Sequence, residues 1–231
     1  VLFIVKNYSG DIMNFQMASE MMTGTSETVL INDDVAVEDS SFTTGRRGVA
    51  ATVIVEKIVG SLAETGGSLK ECKILGDKVN RNSGSMGVAF SSCTVPAAGN
   101  PTFKLGPDEM EFGVGIHGEP GRRRDKVQPA QEITNELLGA IIEDLKLENN
   151  GEILLFVNGM GGTPLTELYL LYDNAKKTLD NKNIKIARSL VGNYCTSLEM
   201  QGASLTITKL DQELKKHWDS PVHTAAMRWG L

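Results

Sequence analysis

Cysteine is scarce: Cys72, Cys93 and Cys195 are three thiols far apart in 231 residues. That number and spacing exclude a disulfide framework and a CxxC metal site, and they fit a reducing compartment. No stretch approaches the roughly 18 apolar residues that cross a bilayer. The opening VLFIVK is too short for a signal peptide and has neither a basic start nor a cleavage site. A cytoplasmic location is therefore expected. Positive charge is also short, with a net charge of -6, which argues against a nucleic-acid backbone as the main partner. The one dense basic run, Arg122-Arg123-Arg124 with Lys126 beyond it, leads straight into polar and acidic residues. It reads as a solvated loop, with a phosphate or partner contact as the alternative. Internal repeats and low-complexity tracts are lacking.

What is present is an apolar content of 41%, enough for one large domain or two small ones. Residues 1–5 read as a buried strand with no preceding cap or turn. Buried strands have neighbours on both sides, so upstream strands are expected outside this sequence. IMNFQMASEMM is apolar at spacings of three and four and predicts a helix. TVLIN (28–32) predicts a strand, and helices are expected over 48–66 and 68–81. After a boundary near residue 83 the order reads β-β-α-β-α-β-β, an α+β pattern with helices on one face of a mixed or antiparallel sheet. The expectation is thus a two-domain α/β protein. Residues 1–83 form the later part of a mixed or parallel α/β domain, and residues 84–231 form an α+β domain whose last residues return to the first.

Three histidines are available, and His117 has the most suggestive setting, between the alternating Phe112, Val114 and Ile116 and the run Gly118-Glu119-Pro120-Gly121. Flanking glycines permit close approach of another molecule, and neutral imidazole serves proton transfer or direct addition to an electrophile. A strand-end histidine satisfied by one hydrogen bond is the alternative. Asp11 closes the first strand-loop at the edge where α/β folds bind ligands. It is either a base for a hydroxyl or the N-cap of a helix starting at Ile12. Lys6 ends the same strand, as a snorkelling side chain or a partner for an oxyanion.

Other motifs carry less. Asn158-Gly159-Met160-Gly161-Gly162-Thr163-Pro164 lacks the GxxxxGK[ST] pattern of a phosphate loop. Pro164 in a first helical turn with Thr163 as cap explains it. The GxGxxG of residues 113–118 lies within and after a strand, outside any βαβ unit. Asp33, Asp34, Glu38 and Asp39 suit a structural turn better than Mg²⁺, having no phosphate cradle beside them. His217 and His223 have only distant Cys195 to complete a zinc set. Thr43-Thr44-Gly45-Arg46-Arg47-Gly48 places two arginines before an apolar helix, to anchor a loop by ion pairs or to meet a partner.

Several long segments, in order, resemble the substrate-binding (K-type) domain of the dihydroxyacetone kinases. They are IVKNYSGDIMNF, DDVAVEDSSFTTGRRGVAATVIVEKIVG, CTVPAAGNPTF, EMEFGVGIHGEPG, VNGMGGTPLTELYLLY and WDSPVHTAAMRWG. The resemblance implies that His117 adds to the carbonyl carbon of dihydroxyacetone as a hemiaminal, that Asp11 activates the terminal hydroxyl for attack on phosphorus, and that Lys6 lies near the substrate. A covalent tether fixes a ligand too small to be held by contacts alone, and it selects against glycerol, which has no carbonyl. The attacking histidine must be neutral, so activity is expected to fall in the acidic histidine range. The resemblance further implies that this chain holds no cofactor. ATP or ADP with Mg²⁺ would sit in a helical L-type partner subunit, with a phosphotransferase-system M-type subunit as a further partner and a homodimer as the assembly. Relatives carry an upstream GGGSGHEP-type segment whose histidine helps bind substrate, and the sequence starts after that point. EMMTGTSETVLIND is a few residues shorter than the usual connection, and Asp77 stands where some relatives have a basic residue. A member that senses dihydroxyacetone for a transcription regulator, without catalysis, is the competing reading.

Overall fold

The computed structural model describes residues 1–36, 45–119 and 121–230. Leu2–Lys6 (β1) and Glu27–Ile31 (β2) pair in parallel, Leu2 opposite Glu27 through Lys6 opposite Ile31. Parallel neighbours need a crossover, and Ser9–Met21 (α1) supplies it. No residue of α1 is buried; Met13, Phe15, Met17 and Met21 are exposed. The apolar positions 12, 13, 15, 17 and 21 wrap round the helix instead of forming one stripe, so no single face could be buried. Ala51–Glu64 (α2) buries Ile54, Val55 and Ile58. Leu69–Arg81 (α3) starts at a capping box, in which the Ser68 hydroxyl accepts from the Glu71 N–H and the Glu71 carboxylate accepts from the Ser68 N–H.

The larger sheet contains Ser83–Ala89 (β3), Glu109–Phe112 (β4), Arg123–Lys126 (β5), Glu152–Gly159 (β6), Lys185–Gly192 (β7) and Gly202–Lys209 (β8). Its order is β5-β4-β3-β8-β6-β7. Only β6 and β7 are parallel, joined by the helix Leu165–Asn181 (α5), and the other pairs are antiparallel. Ala130–Leu145 (α4) precedes β6, and Gln212–Asp219 (α6) follows β8. Val222–His223 (β9) and Arg228–Trp229 (β10) form a short hairpin. β5 corrects the expectation of a solvated loop. Its sequence RRDK has poor strand propensity, but pairing with β4 overrides it. The arginines are held by carboxylates, Arg124 to Glu111 at 3.2 Å and Arg123 to Glu136 at 2.8 Å.

Strand alternation decides how the halves join. Along β6, Ile153, Leu155 and Val157 face a core with α4 and α5, containing Leu137, Leu138, Ile141 and Leu179. Leu154 and Phe156 face the opposite way, into a core with Ile54, Val55 and Ile58 of α2, Leu75 and Val79 of α3, and Leu214 and Trp218 of α6. Helices therefore cover both faces of the sheet, where the sequence pattern predicted one. The architecture is a mixed α/β fold with a mixed sheet, as expected. A separate first domain is not apparent, because its helices share a core with β6.

Asp33 ties this junction together. It is 1% exposed; Oδ1 accepts from the Val49 N–H at 2.7 Å and Oδ2 from the Ala51 N–H at 2.9 Å. The Ser85 hydroxyl of β3 donates to the same carboxylate. Burial pushes the Asp33 pKa up while these donors pull it down. Asp33 and Asp34 thus serve the structural role preferred for the acidic turn; Glu38 and Asp39 lie outside the described residues.

Candidate functional site

β1 ends at Lys6, and the chain then turns into α1 through Asn7 and Tyr8. Asn7 fixes that turn: its N–H donates to the Ile31 carbonyl at 2.8 Å and its amide Nδ2 to the Arg46 carbonyl at 2.7 Å. Gly48 closes against it, donating to the Asn7 carbonyl at 3.2 Å. A Cβ at Gly48 would lie 2.3 Å from the Ile31 carbonyl oxygen and 2.7 Å from both Asn7 N and Lys6 Cα, so only glycine allows this approach. Tyr8, with extended angles, is the helix N-cap, and Asp11 stands in the first turn. The helix thus begins at Ser9, not Ile12, and Asp11 is no cap; its carboxylate sits where the helix dipole favours negative charge.

His117 reaches the same place from the loop after β4. Gly113 and Gly118 bracket it with φ of 76° and 77°, the left-handed region open to glycine. His117 Nε2 lies 3.9 Å from Asp11 Oδ2, and the imidazole stacks on the Tyr8 ring with centroids 3.8 Å apart and planes 7° from parallel. Its side chain is 13% exposed. Burial drives the His117 pKa down to about 4; Asp11 opposes this, while the Arg47 and Lys6 charges add to it. The ring is therefore neutral at physiological pH. His117 Nδ1 and Glu119 Oε1 are buried with no hydrogen-bond partner among the described residues.

Beneath the histidine loop lies a buried ion network that sequence reasoning did not place at the site. The Arg47 side chain is 1% exposed, with its guanidinium 2.7 Å from Asp34 Oδ2 and 3.2 Å from Glu119 Oε2, and it donates to the Gly113 carbonyl at 2.7 Å. Arg46 instead pairs with Asp144, Nη1 donating at 2.9 Å. Both arginines thus anchor loops by ion pairs, one of the two roles weighed for that motif; its Thr43 and Thr44 lie outside the described residues. Asp34 is held at about 6, because burial raises it more than Arg47 lowers it. The sequence signals for this network were the residues flanking those singled out: the tyrosine of KNYSGD and the glutamate of HGEPG.

The remaining motifs stand elsewhere. Thr163 is not a helix cap, since Pro164 holds that position; its hydroxyl donates to the Gly202 carbonyl at 2.8 Å and accepts from the Gly202 N–H at 2.9 Å, pinning the loop to β8. His217 Nδ1 lies 3.0 Å from the Ser61 hydroxyl, and His223 is in β9. A cavity of about 600 Å³ opens between α2 and the terminal hairpin, lined by Glu56, Lys57, Ser61 and Met227 among others, with none of Lys6, Asp11 or His117 on its wall. The imidazole of His117 and the carboxylate of Asp11 meet at the histidine loop, away from this cavity.

Comparison with known proteins gives a consistent picture. Residues 1–226 match the family model described as the Dak1 domain. The chain is 50% identical, over 92% of its length and 66% of the relative's, to the dihydroxyacetone-binding subunit DhaK of PTS-dependent dihydroxyacetone kinase 1 of Listeria innocua. It therefore spans about two thirds of that relative. A solved dihydroxyacetone kinase operon co-activator, Dha-DhaQ, superposes with a TM-score of 0.88 at 31% identity, covering 96% of this chain and 70% of the other. A structure concerned with regulation of the dha operon of Lactococcus lactis gives 0.81 at 29%, covering 96% and 66%. A dihydroxyacetone kinase of C. freundii in complex with AMP-PNP and Mg²⁺ gives 0.78 at 30%, covering 94% and 40%. The expected partner set, an L-type nucleotide subunit with an M-type subunit and a homodimer, is corrected by the first two structures, which are described through operon co-activation and regulation instead. The physical reason is that solved structures described as a kinase and as a co-activator share this fold, so the fold does not specify the partner. No helix among the described residues is long and apolar enough to cross a membrane.

Proposed function

The chain belongs to the Dak1 domain family, and on that premise we propose that it binds dihydroxyacetone covalently, as a hemiaminal on His117. The observation that carries the reading is a buried imidazole, kept neutral, whose Nε2 lies 3.9 Å from a carboxylate. In the proposed step the Nε2 lone pair attacks the carbonyl carbon. The C=O π pair moves to oxygen, which takes a proton from bulk water, while the Nδ1 proton is released to bulk water as the ring returns to neutrality, so no proton is gained or lost overall. In this reading Asp11 accepts a proton from a terminal hydroxyl of the tethered ketone, and Lys6, whose charge reaches His117, neutralises oxygen charge developing nearby. The tether supplies the positioning that so small a ligand cannot gain from contacts.

The fate of the captured ketone has two readings. The co-activator's TM-score of 0.88 favours sensing, in which the ketone reports to a transcription regulator. The 50% identity with a kinase's dihydroxyacetone-binding subunit favours presenting the hydroxyl for phosphoryl transfer. In that case a phosphoryl donor would have to meet the tethered hydroxyl beside Asp11. The test has two stages. The full-length protein incubated with dihydroxyacetone should gain the ketone's mass, and His117→Ala should not. An H117A protein that still gained it would sink the assignment. Asp11→Asn should retain the adduct in either role, but lose any dihydroxyacetone phosphate formation that wild type shows with a phosphoryl donor. Adduct without product, together with a dihydroxyacetone-dependent change in regulator binding, decides for the sensor.

A further inference from the structure

We infer that Tyr8 is a positioning residue for ketone capture: its ring lies flat on one face of His117 and fixes the orientation that aims Nε2 at Asp11. This rests on the hemiaminal reading above and adds a residue to it. Histidines that act as nucleophiles or ligands are usually oriented by a hydrogen bond to the second ring nitrogen. Here Nδ1 is buried with no such partner among the described residues. Among the described residues, the Tyr8 stack covers one face of the ring, with centroids 3.8 Å apart and planes 7° from parallel. The geometry suits addition, because the Nε2 lone pair lies in the plane of the imidazole. A ring laid on its face restrains rotation and excludes water while leaving the attacking edge open.

The platform is itself held in place. Tyr8 is the N-cap of α1, three positions before Asp11, so one short turn sets both the stacking ring and the carboxylate. Its phenol faces Glu119, two residues beyond His117, and burial together with Glu119 pushes the Tyr8 pKa up to about 12. The phenol thus stays protonated throughout the working range. Glu119 is in turn bound to buried Arg47, which holds Asp34. The histidine is therefore clasped between the β1–α1 turn and the Arg47 network. The groups that act on its charge are Asp11, which favours the imidazolium, and Arg47 and Lys6, which disfavour it, with the neutral Tyr8 phenol and Glu119 alongside.

The test compares wild type, Tyr8→Phe, Tyr8→Ala and Tyr8→Leu, as full-length proteins, for the rate of adduct formation with carbonyl-labelled dihydroxyacetone across pH. Circular dichroism melting of each variant confirms folding, and Y8L carries the comparison should Y8A not fold. Y8F keeps the stack and should react within about threefold of wild type with an unchanged pH profile. Y8A and Y8L should slow capture by about 10–100-fold, the cost of losing orientation. Their acid limb should also move up from about 4 toward the ordinary histidine value of about 6.5, as water reaches the ring. A merely structural residue would lower stability without moving that limb. Capture by folded Y8A or Y8L at the wild-type rate with the wild-type limb overturns the proposal. So does a Y8F defect as large as that of Y8A, which would assign the effect to the hydroxyl. Failure of wild type itself to form the adduct is a separate result, and it overturns the capture reading beneath.

Discussion

Replacing Arg47 with Met removes the cation at the centre of a buried cluster of fixed charge. The wild-type guanidinium is 1% exposed and sits 2.7 Å from Asp34 Oδ2, 3.2 Å from Glu119 Oε2 and 2.7 Å from the Gly113 carbonyl. Methionine fills similar space but leaves two carboxylates at 3% and 8% exposure without that counter-charge. Breaking a buried pair from one side costs about 3–5 kcal/mol, a large share of the roughly 5–15 kcal/mol that holds a domain folded. With a urea slope of about 2–3 kcal/mol/M, the unfolding midpoint should fall by about 1–2.5 M. The deficit should also depend on pH. Asp34 is at about 6 even with Arg47 beside it, so losing the cation raises it further. A carboxylate whose folded pKa exceeds its unfolded value contributes stability below the unfolded pKa and loses it as pH rises through the folded one. The variant should therefore lie nearer wild type in mild acid than in mild alkali. Urea titrations followed by circular dichroism at both pH values provide the check. An Arg47→Met protein within about 1 kcal/mol of wild type in mild alkali would refute the buried-charge argument. Arg47→Lys should fall between the two, keeping the charge but losing the fork.

Three further outcomes are expected. Burial corrects the loss expected in the ordinary histidine range: adduct formation by wild type should stay level through that range and drop only near about 4; a half-point near 6.5 in an adduct assay would show the imidazole to be solvated. The same depressed pKa gives His117 a stabilising contribution present above its unfolded value and lost as pH falls through the folded one. Gly48→Ala should cost about 1–3 kcal/mol and slow capture as well, since its methyl must push back the backbone of Lys6, Asn7 and Ile31; thermal melts and adduct kinetics report the two effects separately. Cys195 should resist iodoacetamide in the native protein at neutral pH and react after unfolding, because burial pushes its thiol up to about 12.

Much of this was legible in the residue order. Periodicity located α3 within a residue of its observed start, and the Ser68–Glu71 spacing is a local signal that survives any tertiary context. His117 and Asp11 stood out because glycines and a strand end surrounded them. α1 and β5 were less readable for opposite reasons. The apolar residues of α1 count as helical but wrap round the axis, whereas RRDK has no strand character until β4 supplies a ladder for it. Tyr8, Glu119 and Arg47 could not be joined by spacing alone, since the ion pair from Arg47 to Glu119 spans 72 positions.

The sequence by itself determined most of the element types and the resemblance that names dihydroxyacetone, because each rests on local pattern or on ordered motifs. The tertiary structure decided the chemistry of the site. A histidine of ordinary pKa, about 6.5, loses its neutral, nucleophilic form as pH falls into the acid range. At His117 burial and the charges of Arg47 and Lys6, brought near from two other segments of the chain, keep the ring neutral further into acid. Those are properties of packing across long separations, and no window of residues contains them.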